Sequence, residues 1–194
     1  MTNKYIDEIK KATTKHFLTV EELTGKFNLV ENQRKNDTIS ETNFNNAKAE
    51  YETSIIAEQG KTTDSIKSVQ ERYNVAVDKW AMIDGEKLHP DADLLNKMRF
   101  TTEDLQELGA KHKDNQTMQR ILKNYADDND LSFISSPGGK AKKEAFEEIA
   151  NVLTSAITGG ESSYYGILAS TPDAWEEFIQ PHMQVMGSGA ELSE

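Results

Sequence analysis

At 194 residues the chain has the length of one domain or two small ones. Only 36% of it is hydrophobic and 28% is charged, which disfavours a thick-cored compact enzyme and suits helices that bury stripes. It has no cysteine, which excludes disulfides, thiolate metal sites and a cysteine nucleophile, and its net charge of −11 is unevenly placed.

Residues 3–18 have helical periodicity, with Tyr5, Ile6, Ile9, Ala12 and Phe17 between Lys and Glu. Thr19-Val-Glu-Glu22 has capping-box form and Gly25 suits a turn. Residues 26–39 are polar and weakly patterned, which predicts a loop, with Phe27, Leu29 and Val30 as one short strand. The strongest helical signal covers 41–83. Phe44, Ala47, Tyr51 and Ile55 lead into a heptad seam of Ile66, Val69, Tyr73, Ala76, Trp80 and Ile83. Gly60, followed by Thr62 and Thr63, interrupts it. Either two helices fold back there as a hairpin or one long helix is kinked, and the hairpin is favoured.

His89-Pro90-Asp91 closes that unit. Residues 91–98 form an amphipathic turn or two, Thr101–Asp104 caps a helix to about Lys113, and Asn115 starts another carrying Met118, Ile121, Leu122 and Tyr125. Ser135-Ser-Pro-Gly-Gly139 is a loop. Ala145, Phe146, Ile149, Leu153, Ala156 and Ile157 define a helix ending at Gly159-Gly160. Thr171-Pro172-Asp173 opens the last helix, with Trp175, Phe178 and Ile179 on its apolar face, and Pro181 limits it. The stretch from Gly187 is expected to fray.

The expected fold is thus mainly α: an elongated helical hairpin or bundle with short loops and little or no β. It divides into an N-terminal helix and loop (1–36), a helical hairpin or coiled-coil-like segment (37–88), a short helix pair (89–134) and an acidic helical region with a tail (135–194).

Charge separates the last part from the rest. Residues 1–143 hold all 22 Lys and Arg against 24 Asp and Glu, a net −2. Residues 144–194 hold no Lys or Arg and nine acids, a net −9. Phosphate contacts need cations, so direct binding of this acidic quarter to nucleic acid or anionic lipid is disfavoured. No apolar run reaches the roughly 20 residues that span a bilayer. The first residues carry acids and lack an apolar signal-peptide core, so synthesis in the cytosol without export is expected.

Motifs that would carry chemistry fail at named positions. Gly60-Lys61-Thr62 lacks the upstream phosphate-loop glycine, where Ile55 stands. Ser162 has Tyr164 where a nucleophile elbow needs glycine, and Gly187-Ser188-Gly189 lacks the flanking spacing. A calcium loop from Asp128 would need glycine at Phe133 and glutamate at Gly139. Asp91 and Asp93 are explained by a helix N-terminus before a metal is invoked. His16, His89, His112 and His182 lie far apart in sequence without helical ligand spacing and suit surface or boundary positions. Lys111, Lys113, Arg120 and Lys123 are interleaved with acids and suit a solvated face better than DNA recognition. No cofactor, metal or catalytic residue is assigned.

Partner contacts are the remaining chemistry. Ile66, Val69, Tyr73 and Trp80 of the seam are candidates for self-association or hairpin formation. Glu147, Glu148, Trp175, Glu176, Glu177 and Phe178 are candidates for docking a basic-rimmed partner surface, against the alternative that the Trp175 helix packs on its own body.

The stretch Thr101–Ala126, with its capped start, its Leu105/Leu108 face and Asn115-x-x-Met118-x-Arg120-x-Leu122-x-x-Tyr125-Ala126, resembles a helix pair of small proteins from tailed bacteriophages and prophages of Gram-positive bacteria. The resemblance covers about an eighth of the chain. It implies a part in virion structure or assembly, located in the host cytoplasm or the virion, and brings no active site. The chain departs from phage scaffolding proteins, which commonly end in a basic segment, whereas this one ends acidic. A non-enzymatic helical interaction protein is therefore the first expectation. An acidic DNA mimic that inhibits a host defence enzyme is the second, and an enzyme acting through Asp or Glu the third.

Overall fold

The computed structural model describes residues 3–160, 163–187 and 192. Among them there is no strand. The α-helices are α1 (Lys4–Lys35), α2 (Glu41–Ala81), α3 (Thr102–Lys111), α4 (Gln116–Asp128), α5 (Gly139–Gly159), α6 (Tyr164–Ser170) and α7 (Pro172–Met186), with short 3-10 helices at Gly85–Lys87 and Pro90–Asn96. No helix among the described residues is long and apolar enough to cross a membrane.

The helical hairpin lies between α1 and α2, and it turns at residues 36–40. Asp37 takes a positive φ of 53° there, and the Ser40 hydroxyl caps α2 by accepting the Asn43 N–H. At ~1.5 Å per residue the two helices are about 48 and 61 Å long. Two expected breaks are absent. The Thr19 hydroxyl donates back to the Lys15 carbonyl at 3.0 Å instead of capping a new helix, and Glu22 pairs with Lys26 one turn on. Residues 26–35 therefore continue α1, and neither the loop over 26–39 nor the strand at Phe27, Leu29 and Val30 forms. The Thr63 hydroxyl likewise bonds the Gln59 and Gly60 carbonyls, so α2 runs straight through Gly60 and the fold-back inside 41–83 does not occur. Pairing with the opposite helix decides both cases. Phe27 stacks on Tyr51 at 4.7 Å and lies 6.0 Å from Phe44, while Arg34 ion-pairs with Glu41.

The two ends of the hairpin differ. None of residues 18–59 is fully buried, so the part near the turn is a two-helix arm. The other part enters a bundle with α5 and α7. Its core contains Tyr5, Ile6 and Ile9 of α1, Ile66, Val69, Tyr73, Val77 and Trp80 of α2, Phe146, Ile149, Leu153 and Ile157 of α5, Trp175 and Met186 of α7, and Leu192. Tyr73 is the hub. It is fully buried, meets Tyr5 edge-on at 5.2 Å and stacks on Phe146 at 4.4 Å. Lys142 binds the end of α7 to this core. It is buried, donates to the Met186 carbonyl at 2.6 Å and lies 4.6 Å from the centre of the Trp80 ring.

A second, smaller core gathers Leu95, Leu105, Leu122 and Ala126. Here α3 has the expected capping box between Thr101 and Asp104, and Asn115 caps α4. The buried Gln119 amide joins this unit together. It donates to the carbonyls of Gly109 (2.7 Å) and His112 (3.1 Å) and accepts the Ser136 N–H (2.9 Å).

The C-terminal helices need three corrections. α6 was not expected at all; the Ser163 hydroxyl caps it by accepting the Gly166 N–H at 3.0 Å. α7 passes through Pro181, which is exposed, so the carbonyl it leaves without an intrahelical donor can face water. The helix ends at Gly187, with φ 74°. Of the stretch expected to fray, Leu192 is buried in the core, and residues 188–191, 193 and 194 lie outside the described residues, as does Ser162.

Candidate functional site

The seam residues Ile66, Val69, Tyr73 and Trp80 are at most 7% exposed, each facing neighbours in its own chain. In this fold they build the bundle and offer nothing to a partner. The seam's last expected member, Ile83, is 62% exposed beyond the end of α2. Trp175 is likewise inside at 1%, with Lys10 over its ring at 5.4 Å. Burying this much apolar surface within one chain outweighs presenting it, since each such side chain contributes about 1.5–3 kcal/mol on burial.

The acidic candidates separate into two groups. On α5, Glu144, Glu148, Asn151 and Ser155 follow one another at four, three and four residues, so they share a face, with Glu147 alongside. That face points away from Phe146, Ile149 and Leu153. It forms one wall of an open groove of about 550 Å³, whose other residues include Tyr164, Tyr165 and Leu168 of α6 and Phe178 of α7. Tyr164 is 75% exposed, and its ring meets that of Tyr165 edge-on at 5.3 Å. Among the described residues no Lys or Arg lines the groove. At its edges Lys140 approaches Glu144 (3.7 Å) and His182 Nε2 approaches Glu148 (3.1 Å). Glu147, Glu148 and Phe178 are thus brought together. Glu176 and Glu177 are exposed on α7 and do not line this groove; Glu176 borders a separate shallow one with Ile179 and Met183.

Tyr164 and Tyr165 went unrecognised because the segment after Gly160 gave no periodic pattern. The usable signal was Ser163, a capping residue directly before an apolar run.

A second cluster lies at the junction of the bundle and the small core. The 3-10 helix after Pro90 and the end of α3 bring His89, Asp91 and His112 together, although the two histidines lie far apart in sequence. His112 Nε2 lies 2.8 Å from Asp91 Oδ2, His89 Nδ1 lies 3.3 Å from Asp91 Oδ1, and the two imidazole centres are 4.5 Å apart. Lys111 Nζ is 2.7 Å from Asp91 Oδ2. Hydrogen bonds from Lys111 and then His112 hold the Asp91 carboxyl down to about 2, against the opposing effect of burial. Asp93, the other acid of that segment, is exposed and outside the cluster. His16 also departs from a surface position: it is buried, 3.5 Å from the Thr62 hydroxyl. Lys111, Lys113, Arg120 and Lys123 are all exposed, and Lys123 pairs with Asp127.

No protein-family model, curated protein or solved structure matches the chain, so the groove and the histidine cluster stand on their own geometry.

Proposed function

We propose that this chain is a non-enzymatic helical interaction protein that seats a basic amphipathic segment of a protein partner in the α5–α6–α7 groove. The resemblance over Thr101–Ala126 suggests the setting, virion structure or assembly of a tailed phage. The observation that carries the proposal is the pairing of an apolar, tyrosine-lined floor with Glu144, Glu147 and Glu148 along one wall. Tyrosine rings supply large rigid contact area at low entropic cost, and a one-sign rim steers a cationic segment and fixes its register. A helix carrying Lys or Arg on one edge and apolar residues on another has the matching chemistry.

The apolar floor also weighs against mimicry of nucleic acid. A DNA mimic needs carboxylates arrayed over a polar face, whereas here they border rings that prefer side-chain anchors. With the seam occupied internally, self-association through Ile66–Trp80 has no support and is not part of this function.

The test is a photo-cross-linking residue placed at Tyr165 in the producing cell, with one at Ile134, exposed elsewhere, as control. A discrete adduct is expected at 165 alone, weakened by salt and by Glu147→Lys with Glu148→Lys. Two rim contacts turned from attraction to repulsion cost about 1–2 kcal/mol, or roughly five- to thirtyfold in affinity. An adduct indifferent to both changes, or none at all, defeats the proposal. Loss of an isolated enzyme's DNA binding on addition of the protein would favour mimicry instead.

A further inference from the structure

We propose that His89, Asp91 and His112 form a binding site for a borderline divalent transition-metal ion of the zinc class, with Lys111 as its built-in competitor. The site is independent of the groove. One ligand atom from each of the three residues lies within 4.8 Å of the other two. Ligands about 2.0–2.1 Å from a tetrahedral ion lie about 3.4 Å apart, so closing the cluster takes ångström-scale side-chain movement. Two imidazoles and one carboxylate are the donor set that zinc takes when a fourth position stays open for water.

The hydrogen bonds inside the cluster point the same way. His89 Nδ1 accepts the Asp91 backbone N–H at 3.2 Å, so in that state it carries a lone pair. The same atom faces Asp91 Oδ1 at 3.3 Å, also an acceptor. An imidazole nitrogen has one lone pair, so an ion seated between these two acceptors replaces the Asp91 N–H on His89 Nδ1. On the other side, Oδ2 takes both Lys111 Nζ and His112 Nε2. Lys111 thus places an ammonium where the ion would meet the carboxylate.

The surroundings suit a bound ion. Asp91 and His112 are 16% and 8% exposed, while His89 at 43% leaves an approach from solvent. His112 ends α3 and its carbonyl is held by Gln119, so the buried ligand is fixed by backbone and amide contacts. Binding displaces the Lys111 ammonium from Oδ2, which is unhindered because Lys111 is 59% exposed. It also needs neutral His112 with its proton on Nδ1, leaving the Nε2 lone pair for the ion. The bound ion then ties the segment after Pro90 to the end of α3, a cross-link within the small core.

The test is zinc ion alone, titrated calorimetrically into the full chain in a non-chelating buffer near neutral pH. Thermal unfolding is followed in parallel. One ion per chain and a rise in Tm are expected. His89→Ala, at the most exposed ligand, should weaken binding about tenfold or more, and Asp91→Asn likewise, since each removes one of three ligands. Lys111→Met should tighten it, an outcome that an incidental surface histidine site would not give. Absence of saturable binding at free zinc up to about 100 µM would overturn the proposal. So would an affinity unmoved by His89→Ala, which would place the ion elsewhere, as at His182 and Glu148. The small core's fold in each variant is checked by the amide protection of α3 and α4, so lost binding is not mistaken for lost structure.

Discussion

Replacing Gly60 by Ala separates the continuous α2 from a helical turn by sign alone. In a hairpin turn, Gly60 would sit past a helix end with positive φ, and an added Cβ would destabilise it by about 1–2 kcal/mol. In the structure it lies inside an uninterrupted helix, exposed, with nothing within 4 Å of where a Cβ would go. Alanine there gains about 0.8–1 kcal/mol of helix propensity. Gly25, mid-helix in α1, has the same open surroundings. The two sites lie at different levels of the hairpin: Thr24, beside Gly25, bonds Tyr51, whereas Thr62, just beyond Gly60, faces His16. Their effects should therefore add to nearly 2 kcal/mol. For a chain of this size each kcal/mol moves Tm by about 2–4 °C, so the double variant should melt roughly 4–7 °C higher. Gly160→Ala is the internal contrast, because Gly160 takes φ 76° and alanine there should cost about 1–2 kcal/mol. Denaturant midpoints and calorimetric Tm read all of these. A loss of stability in Gly60→Ala would refute the continuous helix.

Thr101→Ala removes the hydroxyl that accepts the Asp104 N–H and one of the donors to Asp104 Oδ2. It should cost about 1 kcal/mol, seen as faster amide exchange in α3. The Asp104 carboxyl, held low by the Thr101 backbone N–H and then by its hydroxyl, should move back up in a carbon-detected titration. Asp91 predicts a pH dependence. Its carboxyl is depressed to about 2, so its stabilising contribution is full above the unfolded value, about 3.9, and is lost as pH falls through 2. The stability gap between wild type and Asp91→Asn in metal-free buffer should narrow as pH falls below 4 and be largely lost by pH 2; a gap still full at pH 2 counts against the geometry.

The mainly helical fold was legible because its strongest signal, the spacing of Ile66, Val69, Tyr73, Ala76 and Trp80, reflects real burial. Helix starts set locally were legible too: Thr101 and Asn115 cap α3 and α4 through neighbours three residues on, and Pro172 takes the first turn of α7, although no side chain caps that helix. The failures share one cause. Gly25, Gly60 and Pro181 have local preferences of a few kcal/mol against helix at most, and packing overrides them. Phe27 on Tyr51 holds the arm together, and the buried Trp175 and Met186 hold α7 on both sides of Pro181. The partner of a seam was equally invisible. Periodicity shows that a face is covered, but α5 could cover Tyr73 as readily as a second chain. The histidine cluster depends on a contact across more than twenty residues, with no fixed spacing to reveal it.

The charge partition gains meaning from where the charges sit. Lys140, Lys142 and Lys143 occupy the start of α5, the end where a helix dipole disfavours cations. Packing accounts for two of them: Lys142 neutralises the carbonyl end of α7 through Met186, and Lys143 meets Asp78 of α2 at 2.6 Å. The carboxylates on α5 have less reason of this kind. Glu144 has only the exposed Lys140, Glu148 has His182, and Glu147 has no ion pair among the described residues. Like charges one turn apart, as at 144 and 148, destabilise a helix slightly. A face that costs the fold a little, borders two exposed tyrosines and belongs to a stretch without Lys or Arg is better explained by what approaches it than by what it holds together. That asymmetry gives a sharper expectation for the groove: neutralising Glu147 by Glu147→Gln should leave Tm unchanged or slightly raised while weakening the cross-link at Tyr165. A residue kept for stability would show the opposite order of effects.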